Sequence, residues 1–303
     1  MEEINNSGTG YNYTASRSLT TAKNIRDAIE ITMLNYCRDQ LGLSEQFCRE
    51  RASDEEQRLI PKKVLDELRA FGWNFADRKV LEVGSGQGGM VLELLKQSAD
   101  AYGLEPGREF ANLARMRLQD AGHDPTRVGA ESGESLPFDD DYFDYVISLQ
   151  VLEHVPNPLP VLREIFRVLR PGGECHIRCE NYLCFREPHY RIAWLPLLPK
   201  TIGALYLRVI GRDPNFFRKY VYYTTYPQIW RICSGIGFTN LTYRHLWLKF
   251  QEPSTIRTSH LRVASYLLRR LPQDFSKRLV HGFAHFQHFL RPISVTLQKP
   301  LSK

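Results

Sequence analysis

A chain of 303 residues, 43% hydrophobic and 24% charged, can bury a large core, which argues against a disordered or fibrous polypeptide. No run of about 18 apolar residues is present, which argues against a spanning helix, and the opening Met-Glu-Glu lacks the basic-then-apolar pattern of a secretory leader. The net charge of +6 is unevenly held: residues 1–185 carry 21 Lys/Arg against 30 Asp/Glu, and residues 186–303 carry 19 against 4. A basic C-terminal third of this kind suits anionic lipid, nucleic acid or a phosphate-bearing substrate, or is a solvated face.

In chain order, residues 1–18 are polar and read as a disordered tail. A helical cap is expected over 19–76. Its first helix spans 20–41, with Ile25, Ile29, Met33 and Tyr36 at helical spacing. A second opens at Ser53-x-x-Glu56, which has the form of a capping box, and runs toward Leu68.

The main domain is expected over 77–303, organised around residues 80–89, Val-Leu-Glu-Val-Gly-Ser-Gly-Gln-Gly-Gly. Two aliphatic residues lead into a glycine turn, and a helical pattern follows. Gly84 and Gly86 allow positive φ and close ligand approach. Leu-Glu105-Pro106 ends the next apolar run, where a doubly wound sheet places an acid for ribose hydroxyls. No Gly-Lys-Ser/Thr follows, so a nucleotide-phosphate loop is excluded, and the Gly-x-Gly-x-Gly spacing departs from the dinucleotide fingerprint.

Strands are predicted at 79–83, 100–104, 126–129, 143–149 and 173–179, with helices at 88–97, 107–121 and 158–169. The alternation predicts an α/β fold with helices on both faces of a mostly parallel sheet. Pro171-Gly172-Gly173 is expected to stop the helix at Arg170 and turn the chain into a strand. Residues 181–225, dense in Tyr, Phe, Trp and Pro, form an insertion placed to roof a substrate site. A helix over 226–233, a sixth strand over 241–250 and a last strand over 292–298 follow. Residues 251–290 then form a basic helical insertion, with Arg262, Arg269, Arg270, Lys277 and Arg278 beside apolar stripes, a candidate contact for an anionic membrane surface.

Six cysteines, Cys37, Cys48, Cys175, Cys179, Cys184 and Cys233, lack disulfide-like spacing and suit a reducing compartment. Cys175-His176-x-x-Cys179 lies on a predicted buried strand whose alternate residues face opposite ways, so it is not read as a metal site.

Glu82-x-Gly84-x-Gly86-x-Gly88 resembles motif I of the class I S-adenosylmethionine-dependent methyltransferases. Glu105 matches the acid at the end of their second strand. Leu136-Pro137-Phe138, Phe143-Asp144-Tyr145-Val146, Leu152-Glu153-His154-Val155 and Leu169-Arg170-Pro171-Gly172-Gly173 resemble the later motifs in the right order. The resemblance covers 78–180 and points to the branch that includes ubiquinone and menaquinone methyltransferases. It implies a doubly wound, Rossmann-like, seven-stranded sheet, S-adenosylmethionine as cofactor with S-adenosylhomocysteine as product, no metal, and N-terminal helices that either cover the cofactor or pad the sheet edge. Glu82, Gly84, Ser85, Gly86 and Gly88 would surround the methionine and ribose, and Glu105-Pro106 the ribose hydroxyls. Ser132, Gly133 and Glu134 would lie at the adenine, although the family's usual Asp is missing there, and Gln150 would reach the methionine end.

For a hydroxyl acceptor, His189 and His154 are the candidate general bases, His189 with Glu187 to orient it. The expected reaction is methyl transfer to oxygen or carbon of a small amphipathic metabolite such as a quinone, polyketide, lipid or lipid-linked sugar, by a cytoplasmic protein that can also contact a membrane surface. A nucleic-acid methyltransferase is the alternative for the basic third, but no Asn/Asp-Pro-Pro-Tyr/Phe motif for a flipped base is present. A non-catalytic binding protein on the same fold is the other alternative.

Overall fold

The computed structural model describes residues 23–40, 42–43, 45–52, 54–251, 259–287 and 291–301. The expected tail 1–18, Thr20, Ser53 of the capping box, and 252–258 and 288–290 of the basic insertion lie outside the described residues.

The core grows from strand β1 (Lys79–Val83), in which four consecutive residues are buried, as a strand covered on both faces requires. It pairs in parallel with β2 (Asp100–Leu104) on one side and β4 (Phe143–Leu149) on the other. With β3 (Val128–Gly129), β5 (Leu169–Cys179), β8 (Thr239–Asn240) and β9 (Ile293–Gln298) the sheet has seven strands in the order β3-β2-β1-β4-β5-β9-β8. Only β9 runs antiparallel to its neighbours β5 and β8. The order reverses between β1 and β4, so ligands are expected beyond the carboxyl ends of those strands.

Helices α4 (Gly89–Leu95) and α5 (Arg108–Asp120) follow β1 and β2, and α6 (Pro158–Val168) follows β4. Val161, Leu162, Ile165 and Val168 of α6 are buried in one cluster with Val83, Val146 and Ile177. Val91 and Leu94 of α4 share a second cluster with Val64, Leu65 and Leu68 from α3 (Asp54–Ala70), which therefore packs into the main core. Helix α1 (Ile25–Asn35) lies on α5 through Ala28, Ile29 and Leu113. A π-helical turn, Tyr36–Gln40, and α2 (Glu45–Ala52) follow.

Three expectations are corrected. Residues 241–250 are a helix, α10 (Thr242–Gln251), and the sixth strand is the short β8 before it. The Asn240 side chain accepts from Thr242 N at 2.8 Å and starts the helix; Leu246, Trp247 and Phe250, at helical spacing, then pack on Val280 and Leu268. β5 begins at Leu169, before the Pro-Gly-Gly turn, so that turn is an irregularity inside the strand: the register jumps from Phe143↔Leu169 to Tyr145↔Glu174. Gly172 takes φ +79° there, and its N–H reaches Lys299 O at 2.8 Å. β3 is two residues shorter than expected because Pro125–Arg127 forms a 3-10 turn under the Asp124 cap.

Residues 181–225 fold as a module on the carboxyl side of β5. It contains the hairpin β6 (Arg186–Glu187) and β7 (Ile192–Ala193), then α7 (Lys200–Val209) and α8 (Asn215–Tyr220). Tyr182, Tyr190, Trp194, Leu207, Phe216 and Phe217 form its core together with Cys37 and Cys48 from the N-terminal segment. Helix α9 (Tyr226–Ile236) returns the chain to the sheet and ends on Gly237 at φ +110°. Between β8 and β9 lie α10, α11 (Ser259–Leu268) and α12 (Gln273–Gln287). No helix among the described residues is long and apolar enough to cross a membrane.

Candidate functional site

Two clusters of polar side chains meet at the carboxyl edge of the sheet. The first surrounds the turn after β1. Gly84 takes φ +79°, and a Cβ there would strike the Val151 side chain, so this glycine lets the segment after β4 close onto the loop. Gly86 takes φ +51° and has no heavy atom within 4 Å of its Cβ position, which leaves its face open to a ligand. Gly88 does a different job: a Cβ would lie 2.8 Å from that of Ala114, so it lets α4 pack on α5.

Glu105 is buried and folds back over this turn. Its Oε2 accepts from Gly86 N at 2.9 Å and its Oε1 from Gly107 N at 2.8 Å. Each oxygen retains a second lone pair for an incoming hydroxyl. Burial raises its pKa against the pull of these two N–H groups. Glu82 is also buried. Burial first, and the Glu105 charge second, push its pKa well up, and its Oε2 has no partner. Ser85 Oγ and Gln87 Oε1 are likewise buried and unpartnered. Orphaned acceptors beside an open glycine fit a ligand carrying an ammonium and vicinal hydroxyls, as S-adenosylmethionine does.

Of the remaining residues expected here, Pro106 follows Glu105 and is half-buried. Gly133 lies against Val83 at the end of β1, where a Cβ would come within 2.8 Å of Val83 Cγ1. Ser132 Oγ accepts from Glu134 N at 3.3 Å, and the Glu134 side chain is exposed.

The second cluster lies beyond β4 and β5. Gln150 takes φ +58° at the strand end. In the orientation that its neighbours require, its side-chain amide donates to Glu153 Oε1 at 2.5 Å and Glu180 Oε1 at 3.0 Å. The insertion brings Glu187 and His189 over this group. His189 Nδ1 lies 2.9 Å from Glu187 Oε1, whose carboxylate also accepts from Tyr182 Oη at 3.3 Å and Tyr190 N at 2.7 Å. Burial works against the His189 charge, but the Glu187, Glu153 and Glu180 carboxylates outweigh it and the pKa is raised. His154 donates from Nδ1 to Tyr220 O at 2.7 Å, so its Nε2 carries the lone pair; burial and then His189 push its pKa down to about 3. The two rings stand edge to face, centroids 5.1 Å apart, with Phe216 against both.

Glu153 is fully buried with Oε2 unpartnered, and burial raises its pKa to about 8. Glu153, His154 and His189 each offer a ligand atom, all within 4.8 Å of one another, a donor set suited to a divalent cation. Neither this grouping nor Glu180 stands out in the sequence. A carboxylate one residue past a strand end was the available signal for Glu180. Cys175 and Cys179 are buried in the sheet, and His176 Nδ1 lies 3.1 Å from Thr296 Oγ1.

Glu153 also gives a test on stability. Its pKa is raised on folding, so the folded state holds the proton more tightly between the unfolded value of 4.5 and about 8, and stability falls as pH rises through that window. The depressed His154 acts oppositely, adding stability as pH rises from about 3 to 6.5 and nothing further above that. Between 6.5 and 8, therefore, Glu153→Gln is expected to flatten the fall of the melting temperature with pH; a slope identical to wild type would show that the buried acid does not titrate there.

Tyr36 joins the two clusters from the N-terminal side, with ring centroids 5.9 Å from Phe110, near the Glu105 loop, and 5.9 Å from Phe216. Some motif residues serve the scaffold. Arg167 donates to Leu136 O at 2.9 Å and Phe138 O at 2.7 Å, fixing the loop before β4. Asp144 accepts from Lys79 N at 2.9 Å and Arg170 Nε at 2.7 Å, tying β1 to β5.

A family model described as a methyltransferase domain matches residues 81–177. A ubiquinone biosynthesis O-methyltransferase of Pseudomonas fluorescens is 30% identical over 177 residues, 55% of this chain and 70% of that protein. Its counterpart in Aliivibrio fischeri is 34% identical over 96 residues, 32% of this chain, and the match spans only 41% of that protein. A solved structure from Galdieria sulphuraria, named as a provisional sarcosine dimethylglycine methyltransferase, shares the fold with a TM-score of 0.50 at 16% identity, over 85% of this chain and 88% of that one. The strand order, the glycine turn answered by Glu105 and these likenesses agree, and the chain belongs to the class I S-adenosylmethionine-dependent methyltransferases.

Proposed function

We propose that the protein methylates a hydroxyl oxygen of a small amphipathic acceptor, with S-adenosylmethionine as donor. One observation carries the reading: an oriented histidine–carboxylate pair, His189–Glu187, buried beside the cofactor-side cluster. The names of the curated relatives support oxygen over carbon as the target.

S-adenosylmethionine supplies a methyl group already activated on a sulfonium, so the protein has mainly to align donor and acceptor. Glu82 and the Gly86 turn hold the amino-acid end, and Glu105 takes the ribose hydroxyls. Glu187 holds His189 Nδ1–H and so leaves Nε2 as the proton acceptor for the attacking hydroxyl. His154, neutral at working pH, offers a second acceptor, Nε2, and cannot compete for the role of acid. Peripheral membrane contact through 251–290 is part of the proposal: Tyr266, Leu267, Phe275, Leu279 and Phe286 are exposed there.

The Glu153–His154–His189 donor set favours a second reading, in which a divalent cation bound there lowers the acceptor hydroxyl's pKa. Methyl-labelled S-adenosylmethionine, incubated with the protein and a detergent-solubilised cell extract, tests both. Label is expected in the organic phase, in an alkali-stable ether linkage. Loss of label with EDTA and its return with magnesium or zinc would select the cation reading; indifference to EDTA selects His189. Nuclease-sensitive label, or none despite cofactor binding, would sink the proposal.

A further inference from the structure

Two buried carboxyl groups share the cofactor side of the site, and the donors around them are unequally divided. Glu105 takes two backbone N–H groups, from Gly86 and Gly107. Glu82 stands on the same face of β1 as Val80, the face that α4 covers, between Gly103 of β2 and Ile147 of β4. Gly103 brings no side chain and Ile147 only an apolar one. Glu82 is 5% exposed, and its Oε2 has no hydrogen-bond partner.

The charged and polar groups that face Glu82 come from three elements. Glu105, beyond β2, opposes its charge, while the Val91 N–H at the start of α4 and the Arg117 guanidinium of α5 favour it. Burial and then the Glu105 charge outweigh the two favourable groups and hold the Glu82 carboxyl well above the usual carboxylate range. Burial raises Glu105 as well, but less far, because its two N–H donors pull the other way.

Two acids in one dry site resist ionising together unless a cation joins them. Glu105, with the better donors, is the anion of the pair, and the proton falls to Glu82. A protonated carboxyl is a poor partner for an ammonium, since it has lost both the charge and an acceptor lone pair. The α-ammonium of S-adenosylmethionine supplies the missing positive charge, and the orphaned Oε2 supplies an acceptor for it. The ribose hydroxyls that Glu105 receives are neutral and find their acceptor already ionised.

We infer that Glu82 carries a proton until the cofactor binds and loses it to solvent as the cofactor's α-ammonium arrives, so that pH controls how much cofactor the protein holds. Affinity then rises with pH between the Glu82 pKa of the complex and that of the ligand-free protein, and levels off above the latter. One displaced proton limits the slope to about tenfold per pH unit. S-adenosylmethionine and S-adenosylhomocysteine both carry the ammonium, so both respond alike. The coupling holds whichever acceptor is methylated.

The test titrates the full chain with S-adenosylhomocysteine in a calorimeter, in pairs of buffers with unlike ionisation enthalpies. The range is about pH 5.5 to 7, where a carboxyl displaced upward titrates and the ligand's ammonium stays charged. The difference between buffers counts the protons released. Wild type is expected to release up to about one proton per ligand bound, with affinity rising in step. On the same protein 5′-methylthioadenosine, which keeps the nucleoside and the sulfur and lacks the amino-acid end, is expected to bind without release. Glu82→Gln, its fold checked by circular dichroism, is expected to bind S-adenosylhomocysteine without release and with an affinity independent of pH. Glu105→Ala is expected to keep the release and move it to lower pH, because the opposing charge is gone. Binding to wild type with no proton released overturns the inference, as does equal release with 5′-methylthioadenosine. Undiminished release in Glu82→Gln, or loss of it in Glu105→Ala, assigns the proton to another group and overturns it too.

Discussion

Replacing Glu105 with alanine is expected to lower the affinity for S-adenosylhomocysteine about a hundredfold. The carboxylate holds two backbone donors, Gly86 N at 2.9 Å and Gly107 N at 2.8 Å, and keeps one lone pair on each oxygen for the ribose hydroxyls. Hydrogen bonds to an ionised acceptor contribute about 1.5–3 kcal/mol each, so losing two to a ligand amounts to about 3 kcal/mol at the low end, or roughly two decades in affinity. The alanine variant also orphans two N–H groups, which blurs the glycine turn; a second ligand separates the effects. An analogue lacking both ribose hydroxyls is expected to bind wild type about as weakly as the parent ligand binds Glu105→Ala, and the variant should not distinguish the two ligands. Glutamine at this position is no rescue, because one of its two head atoms is a donor and would face a glycine N–H. Titration calorimetry with both ligands checks this. Affinity within about threefold of wild type, with the fold retained, would sink the ribose role.

That Glu105 was visible at all reflects how the doubly wound sheet writes itself in sequence. β1, β2 and β4 are buried, parallel strands whose apolar runs end at the turns where ligands bind, and those three were legible to the residue. The glycine turn was legible because its geometry requires positive φ at Gly84 and Gly86. Gly88, with the same residue type and a similar φ, makes room for Ala114, and spacing alone could not separate packing from binding. Residues 241–250 failed for a related reason. Over ten residues with mixed apolar positions, strand alternation and helical periodicity overlap, and the decision was made by Asn240 and by Val280 and Leu268, remote in sequence. The second cluster was half-legible. His189 and Glu187 sit two residues apart and could be paired by eye, but the 34 positions between His154 and His189 conceal that their rings touch. The backbone of Glu153 is also tied to the segment around Tyr222, whose N–H donates to Glu153 O at 2.7 Å, a contact no local pattern encodes.

His189→Ala is expected to lower turnover about 100- to 10,000-fold, the usual span for a positioned general base, while leaving cofactor affinity near wild type. The pH profile separates a base from a roof residue. A base acts when neutral, so the rate should rise with pH through the His189 pKa, which the Glu187, Glu153 and Glu180 carboxylates hold above the ordinary histidine value of 6.5. Glu187→Gln removes the charge that touches the ring, so the limb is expected to move to lower pH as its plateau drops. Two other groups face the same space. His154, held near 3, gives no limb in the working range. Glu153, near 8, does overlap, and the two titrations are coupled. The limb that survives in Glu153→Gln therefore belongs to His189, and with one raising carboxylate gone it too should lie lower than in wild type. Turnover of His189→Ala within twofold of wild type, or a limb that stays in place in Glu187→Gln, would leave the histidine as packing between Phe216 and His154 and move the search for the proton acceptor to the Glu153 carboxylate beneath it.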